Sequence, residues 1–170
     1  MKKLFPIIIF FGIVSSFTFA ALAQSAMVGE KDAAELRKIY RDIDEADKKL
    51  VLELIEKYLG EDYSVETGGE RLNKKQVIER LKTFYGAVKE ITEAKSTIEK
   101  IELIEGRYAV QVDSITVGKF VLPDGKIADF LFTSKTTDYW RKGKGNKWQQ
   151  TTQIDRGTKI LIDGKEPSDD

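Results

Sequence analysis

The chain has 170 residues with 28 basic and 28 acidic side chains, and it contains neither histidine nor cysteine. Their absence excludes disulfides, zinc sites built on these ligands, and the Ser-His-Asp and Cys-His nucleophilic systems. The balanced charge argues against a nucleic-acid-binding surface, which needs a clustered basic excess. Any catalysis must therefore use carboxylate, Tyr, Lys, Ser or Thr groups, and we expect no metal and no cofactor.

The first 23 residues have the pattern of a secretory signal peptide. Lys2 and Lys3 precede an apolar run at 4–19, and Ala21-Leu22-Ala23 forms a small-x-small cleavage site. The competing interpretation is a membrane anchor, because the run is about long enough to span a bilayer. Proline, glycine and hydroxyl residues interrupt the run, however, so we expect cleavage and a periplasmic or secreted protein that has no membrane association afterwards.

Residues 24–170 are expected to form one domain with a loose tail from about residue 166. Apolar residues from Lys31 to Tyr58 recur with helical spacing, with a kink expected where Asp47 interrupts the row. Gly60 is placed to end this helix. Asn73 and Gln76 have the spacing of a capping box and predict a second helix.

The period of the apolar residues changes to two after Glu90, which predicts strands. Pro123-Asp124-Gly125-Lys126 marks a hairpin turn within this region. A short extended link is expected at 61–66 and a short apolar addition at 160–162. The long strands are predicted at 91–105, 107–120, 127–140 and 147–155.

Helices followed by a run of strands indicate an α+β fold, with the helices gathered on one face of an antiparallel sheet. We expect a curved antiparallel sheet of about four long strands wrapped around two to three N-terminal helices. Such a cone would leave a pocket at its open end.

Three segments carry a family resemblance: Tyr58 to Glu66, Gly69 with the helix at 75–81, and Asp138-Tyr139-Trp140 with the turn that leads to Trp148. In order and spacing they resemble the nuclear transport factor 2-like superfamily, which includes ketosteroid isomerase, scytalone dehydratase and SnoaL-like polyketide cyclases. The resemblance implies a cone-shaped fold with a pocket. It also implies homodimers that form through the open sheet face. Light scattering at high protein concentration tests this expectation, and a monomer would contradict it.

The ketosteroid isomerase branch implies roles for particular residues. By this resemblance Tyr40 falls near the donor tyrosine, and Asp138 falls near the protonated acidic donor. Thr67 stands where the carboxylate base is expected. Glu66 is adjacent to it, but a shift of one residue along a strand points a side chain to the other face.

The candidate catalytic residues are therefore Asp138 as acid, Tyr40 polarising a carbonyl, and Asp62 as base, with Glu66 as its alternative. If its strand is regular, Asp138 shares an apolar face with Phe130 and Trp140, which would raise its pKa. Each has a structural interpretation as well: Asp62 as a solvated cap, Tyr40 as core, and Asp138 as an ion-pair partner of Arg141 or Lys142. The candidate ligand-binding residues are Tyr63, Trp140, Trp148 and Phe130.

Three functions remain open from the sequence. The first is an exported domain that binds a small apolar molecule in an apolar pocket, without chemistry. The alternative is an acid–base enzyme of the dehydratase, cyclase or isomerase type. The second alternative is an interaction module that dimerises through its sheet.

Overall fold

The structure is a computed structural model that describes residues 28–167. The predicted signal peptide lies outside these residues, so export stays a prediction. After the last strand a turn brings Ile162 and Lys165 together, and residues 166–167 have no regular structure. Within the described part of the chain, none of the helices has the length and hydrophobicity that crossing a membrane requires.

The N-terminal helical region is divided into two helices, α1 (Glu30–Lys48) and α2 (Leu52–Glu56). Leu50 ends the first of them in a left-handed conformation, at φ 55°. The break therefore falls three residues after Asp47. The prediction that Gly60 ends the helix was wrong, because Gly60 lies within a strand that begins at Leu59.

The helix α3 (Lys74–Ala87) begins with the capping box that the sequence predicts. The Asn73 side chain accepts a hydrogen bond from the backbone N–H of Gln76, and the Gln76 side chain accepts one from the backbone N–H of Asn73. This reciprocal pair satisfies two of the free N–H groups at the helix start. The predicted second helix is confirmed.

Six strands form one curved, unclosed sheet with the order β2-β1-β6-β5-β4-β3. All neighbouring strands pair antiparallel except β1 and β6, which are parallel. The predicted α+β fold with a curved sheet is confirmed. The strands are β1 (Leu59–Thr67), β2 (Glu70–Asn73), β3 (Val88–Ile104), β4 (Arg107–Val121), β5 (Ile127–Lys142) and β6 (Trp148–Ile162).

Two of the strand predictions need correction. The extended link expected at 61–66 is part of β1, which pairs with β2 and with β6. The predicted strands at 147–155 and 160–162 are one strand, because a bulge at Arg156 interrupts the pairing without ending it. A bulge places an extra residue in one strand and bends it, so the apolar alternation pauses there while the strand continues.

The concave face of the sheet holds the core and lies against the helices. Along β5 this face carries every second residue from Ala128 to Trp140. Further register shifts lie in β3, the strand that packs along α1, and bulges of this kind increase the bend of a sheet. One end of the cone is filled by a cluster of buried side chains, and we call it the closed end. The cluster contains Leu36, Ile39, Tyr40, Val110, Val112, Trp140 and Trp148.

Two glycines give a matched test of this packing. A Cβ on Gly118 would overlap the Glu90 carbonyl oxygen and lie 2.9 Å from the Phe130 ring, whereas a Cβ on Gly86 in α3 has no neighbour within 4 Å. We expect Gly118→Ala to destabilise the protein by at least about 1–3 kcal/mol. Gly86→Ala should stabilise it by about 0.5–1 kcal/mol. Urea denaturation of both variants checks this, and equal effects would contradict the close approach at Gly118.

Candidate functional site in the cone

A buried hydrogen-bond relay joins α1 to β5. The Tyr40 hydroxyl donates to Oδ2 of Asp138 at 2.6 Å, and the indole Nε1–H of Trp140 donates to the Tyr40 hydroxyl oxygen at 3.0 Å. An indole N–H can only donate, so the Tyr40 oxygen is the acceptor and its own proton goes to Asp138. We call these three residues the relay, and its direction runs from Trp140 to Asp138.

The second carboxylate oxygen of Asp138 has no partner. Asp138 is 3% exposed, and no described residue forms a hydrogen bond with its Oδ1. Burial raises the pKa of Asp138 to about 6, although the hydrogen bond from Tyr40 and the nearby Thr136 hydroxyl act to lower it. Buried polar atoms are almost always satisfied, because desolvation without a partner is costly. This oxygen is therefore open to a hydrogen bond from a molecule other than the protein, such as a water or a ligand.

Tyr40 keeps its proton in this arrangement. Burial, together with the charge of Asp138, raises the pKa of the Tyr40 phenol well above its ordinary value. The single N–H donor of the Trp140 indole is likewise used in its hydrogen bond to Tyr40. Neither group is a free donor for a ligand, so among the relay atoms Oδ1 of Asp138 is the one left open.

Tyr63 and Gln153 extend the polar cluster onto the neighbouring strands. Gln153 lies directly opposite Asp138 in the pairing of β5 with β6, so their side chains share the concave face. The Tyr63 hydroxyl donates to Oε1 of Gln153 at 3.0 Å. Burial raises the pKa of Tyr63, helped by the charge of Asp138. Tyr63 therefore forms one wall beside the relay.

Beyond the relay the concave face is lined with hydroxyl groups. Ser96, Ser114, Ser134 and Thr158 lie opposite one another in a row across four strands. Ser114 and Ser134 are only partly buried, in contrast to Thr136 and Asp138 next to them on β5. Solvent therefore reaches the concave face here. We call this part of the concave face, between the helices and the strands, the hollow.

The helix α3 lies over the hollow without sealing it. Its Leu81 and Tyr85 pack beside Tyr63 at one side, while Phe84 meets Phe130 edge-on at 5.7 Å at the other. Ile78 is the one buried residue of α3, and Phe84 is 39% exposed. The sheet therefore covers the apolar side chains of this helix only in part. The hollow is bordered by apolar side chains of α3 and by hydroxyl groups of the sheet.

Carboxylates dominate the charge at the margin of the hollow. Asp44 on α1 accepts from the Ser96 hydroxyl at 2.7 Å and from its backbone N–H at 3.0 Å. Asp47 accepts from the Tyr85 hydroxyl. Burial raises the pKa of Asp47 to about 6, against the lowering effect of that hydrogen bond. Two carboxyl groups of α1 therefore border the hollow at this margin.

No family model and no curated protein matches this chain. Among solved structures, a conserved protein from Planctomyces limnophilus has a TM-score of 0.63 at 16% identity, over 79% of this chain and 99% of its own. A candidate scytalone dehydratase from Novosphingobium aromaticivorans has a TM-score of 0.64 at 12% identity, over 78% and 89%. A nuclear transport factor 2-like protein from Cytophaga hutchinsonii has a TM-score of 0.53 at 16% identity, over 75% and 98%.

The chain has the nuclear transport factor 2-like fold. The resemblance expected from the sequence is confirmed for the fold, and identities this low carry nothing more. In this nuclear transport factor 2-like cone, Tyr40, Asp138, Trp140 and Tyr63 lie together. Trp140 is fully buried and contributes its N–H to the relay, so it is a core residue and offers no free ring face to a ligand.

Three of the predicted site residues lie elsewhere in the cone. Asp62 is exposed and accepts two hydrogen bonds from Arg141, both of 2.9 Å, which takes it away from Asp138. Trp148 donates to Glu35 at 2.8 Å and packs on Tyr108 at the closed end. Phe130 is eight residues from Asp138 along β5, about 26 Å in an extended strand, and borders the far side of the hollow.

The sequence-based interpretation missed the hydroxyl row and Gln153. Alternation along one strand assigns a residue to a face, but the partner opposite it depends on the register between strands. Ser114 and Ser134 become neighbours only through the pairing of β4 with β5. The nearest signal in the sequence was the absence of large apolar residues at these two inward positions.

Proposed function

We propose that this protein binds a small, largely apolar molecule in the hollow, held by a hydrogen bond to Asp138. The observation that carries the proposal is the buried Oδ1 of Asp138, which has no partner among the described residues and lies beside a solvent-accessible concave face. A ligand that reached this oxygen would supply the missing hydrogen bond.

The walls of the hollow support an apolar ligand body. Leu81, which packs in the cluster that contains Tyr63, is partly exposed although it faces the helix–sheet interface. Covering such groups contributes about 25 cal/mol for each Å² of apolar surface removed from water. Apolar walls with a few polar groups that fix orientation are the common composition of small-molecule sites.

A pair of substitutions on adjacent residues tests the location. Ser134 faces the hollow, and Thr133 points to the convex face. We expect the neutral fluorophore N-phenyl-1-naphthylamine to bind the purified protein saturably, with emission that shifts to shorter wavelength. Ser134→Phe, which fills the hollow, should weaken binding at least about tenfold, a loss of about 1.4 kcal/mol. Thr133→Phe is the control and should leave binding unchanged. Absence of saturable binding, or equal loss in both variants, would contradict the proposal.

Acid–base catalysis is the second candidate function. The observation in its favour is that the pKa of Asp138 is raised to about 6, which suits a group that exchanges protons near neutral pH. In this function Asp138 is the acid, and Asp62 does not reach it. Product formation from the bound compound, lost by a factor of about 10² or more in Asp138→Asn, would establish it. Recovery of every bound compound unchanged would leave binding alone.

A further inference from the structure

Resting on the proposed function, we infer that the hollow selects ligands that donate a hydrogen bond, such as a hydroxyl or an ammonium group. Ligands whose polar group only accepts, such as a ketone, and anionic ligands are rejected. The inference concerns the chemical class of the ligand, and it follows from the direction of the relay and from the charges around the hollow.

The first step is that the open atom is an acceptor. Trp140 donates to Tyr40 and Tyr40 donates to Oδ2 of Asp138, so every proton in the relay is already assigned. When Asp138 is ionised, its Oδ1 presents lone pairs and no proton. A ketone oxygen placed there would face another acceptor, whereas a hydroxyl or an ammonium group would donate a hydrogen bond to Oδ1.

The second step is that no neighbouring donor among the described residues reaches Oδ1: the Thr136 hydroxyl and the Gln153 amide lie beside Asp138 on the concave face, yet neither forms a hydrogen bond with this oxygen. The Tyr63 hydroxyl donates to Gln153 at 3.0 Å. The guanidinium of Arg156, which is near enough to lower the pKa of Asp138, donates to the carbonyl oxygen of Thr136 at 2.8 Å. The protein therefore leaves the partner of Oδ1 to be supplied from outside.

The third step is electrostatic. Asp44 and Asp47 on α1 and Asp155 on β6 place carboxylates on elements that border the hollow, in addition to Asp138. Asp44 and Asp155 accept hydrogen bonds from the Ser96 and Thr67 hydroxyls, which are uncharged donors. An anionic ligand would meet like charge, while a neutral or cationic donor would not.

Four naphthalenes with the same apolar body test the inference on the purified protein at pH 7.5. They are 2-naphthol, 2-(aminomethyl)naphthalene, 2-acetonaphthone and 2-naphthoate, with binding followed by fluorescence. We expect the naphthol and the amine to bind roughly tenfold or more tightly than the ketone, since a hydrogen bond to a charged group supplies at least that difference. The naphthoate should bind most weakly. The ranking of naphthol against amine separates a hydroxyl ligand from a cationic one.

Asp138→Asn sharpens the test. Because Tyr40 still donates to the amide oxygen, the amide NH₂ takes the place of Oδ1 and turns the open acceptor into a donor. The ketone should then bind more tightly than the naphthol. Asp113→Asn, on the exposed convex face with Lys135 as its partner, is the control and should keep the original order.

The outcomes separate the inference from the proposed function. Equal affinities of naphthol and ketone for the wild-type protein overturn the inference and leave binding in the hollow standing. A failure of all four probes and of N-phenyl-1-naphthylamine overturns both. If Asp138→Asn does not fold, the wild-type order of affinities decides by itself.

Discussion

Lowering the pH from 7 to 4.5 is expected to stabilise this protein. Burial raises the pKa values of Asp138 and Asp47 to about 6, above their ordinary value of 3.8. Between these values the folded state holds protons that the unfolded state has released, so the free energy of unfolding falls as the pH rises. Each carboxyl should contribute about 2 kcal/mol of stability at pH 4.5 that is lost above pH 6.

Urea denaturation at several pH values between 4.5 and 7 measures this effect. Asp138→Asn and Asp47→Asn should each remove about half of the pH dependence, whereas Asp113→Asn on the convex face is the control and should leave it unchanged. The range stops at 4.5 because hydrogen bonds from Lys142 and Lys38 lower the pKa values of Asp32 and Asp42, whose protonation destabilises the fold at lower pH. A flat profile, or stability that rises towards pH 7, would show that Asp138 is not buried as described.

Trp140→Ala is expected to cost about 3–5 kcal/mol, the range for truncating a large buried aromatic residue. Trp140 is fully buried, and the rings of Tyr40 and Tyr58 pack edge-on against it at 5.8 and 6.3 Å. Truncation removes these contacts and leaves a cavity at the closed end of the cone. A loss of this size is a large part of the stability of an ordinary domain.

Trp140→Phe is the matched variant, because it keeps a ring in the core and removes the N–H that bonds Tyr40. It should cost less, about 1–2 kcal/mol. Thermal and urea unfolding of both variants gives the two values. If Trp140→Ala lost less than about 1 kcal/mol while weakening probe binding, Trp140 would be a ligand wall and the relay would not be part of the core.

The sequence predicts the helices and the long strands because their signals are local. The capping box of Asn73 and Gln76 and the hairpin turn before Lys126 depend on residues a few positions apart. The inward position of Asp138 also follows from alternation along one strand. These features need no knowledge of distant contacts, and the structure has them where the sequence places them.

The remaining features depend on pairing between distant segments. The sequence predicts only a link where β1 lies, because its partner β6 follows about 90 residues later and the two pair in parallel. The sequence predicts that Trp148 contacts a ligand, whereas its indole N–H donates to Glu35 on α1. The sequence predicts that Asp62 is the catalytic base, whereas an ion pair with Arg141 on β5 holds it at the surface. In each case the deciding partner lies in a segment whose register the sequence does not reveal.

The Asp138 carboxyl group itself offers the most direct measurement, by its ¹³Cγ resonance in a pH titration with and without 2-naphthol. If Asp138 is buried with an open acceptor, its titration midpoint in the free protein should lie near pH 6. Binding of the naphthol should move the midpoint to lower pH, because a donated hydrogen bond favours the ionised form. A midpoint near the ordinary aspartate value, unchanged by the naphthol, would contradict both the burial of this carboxyl group and its role in binding.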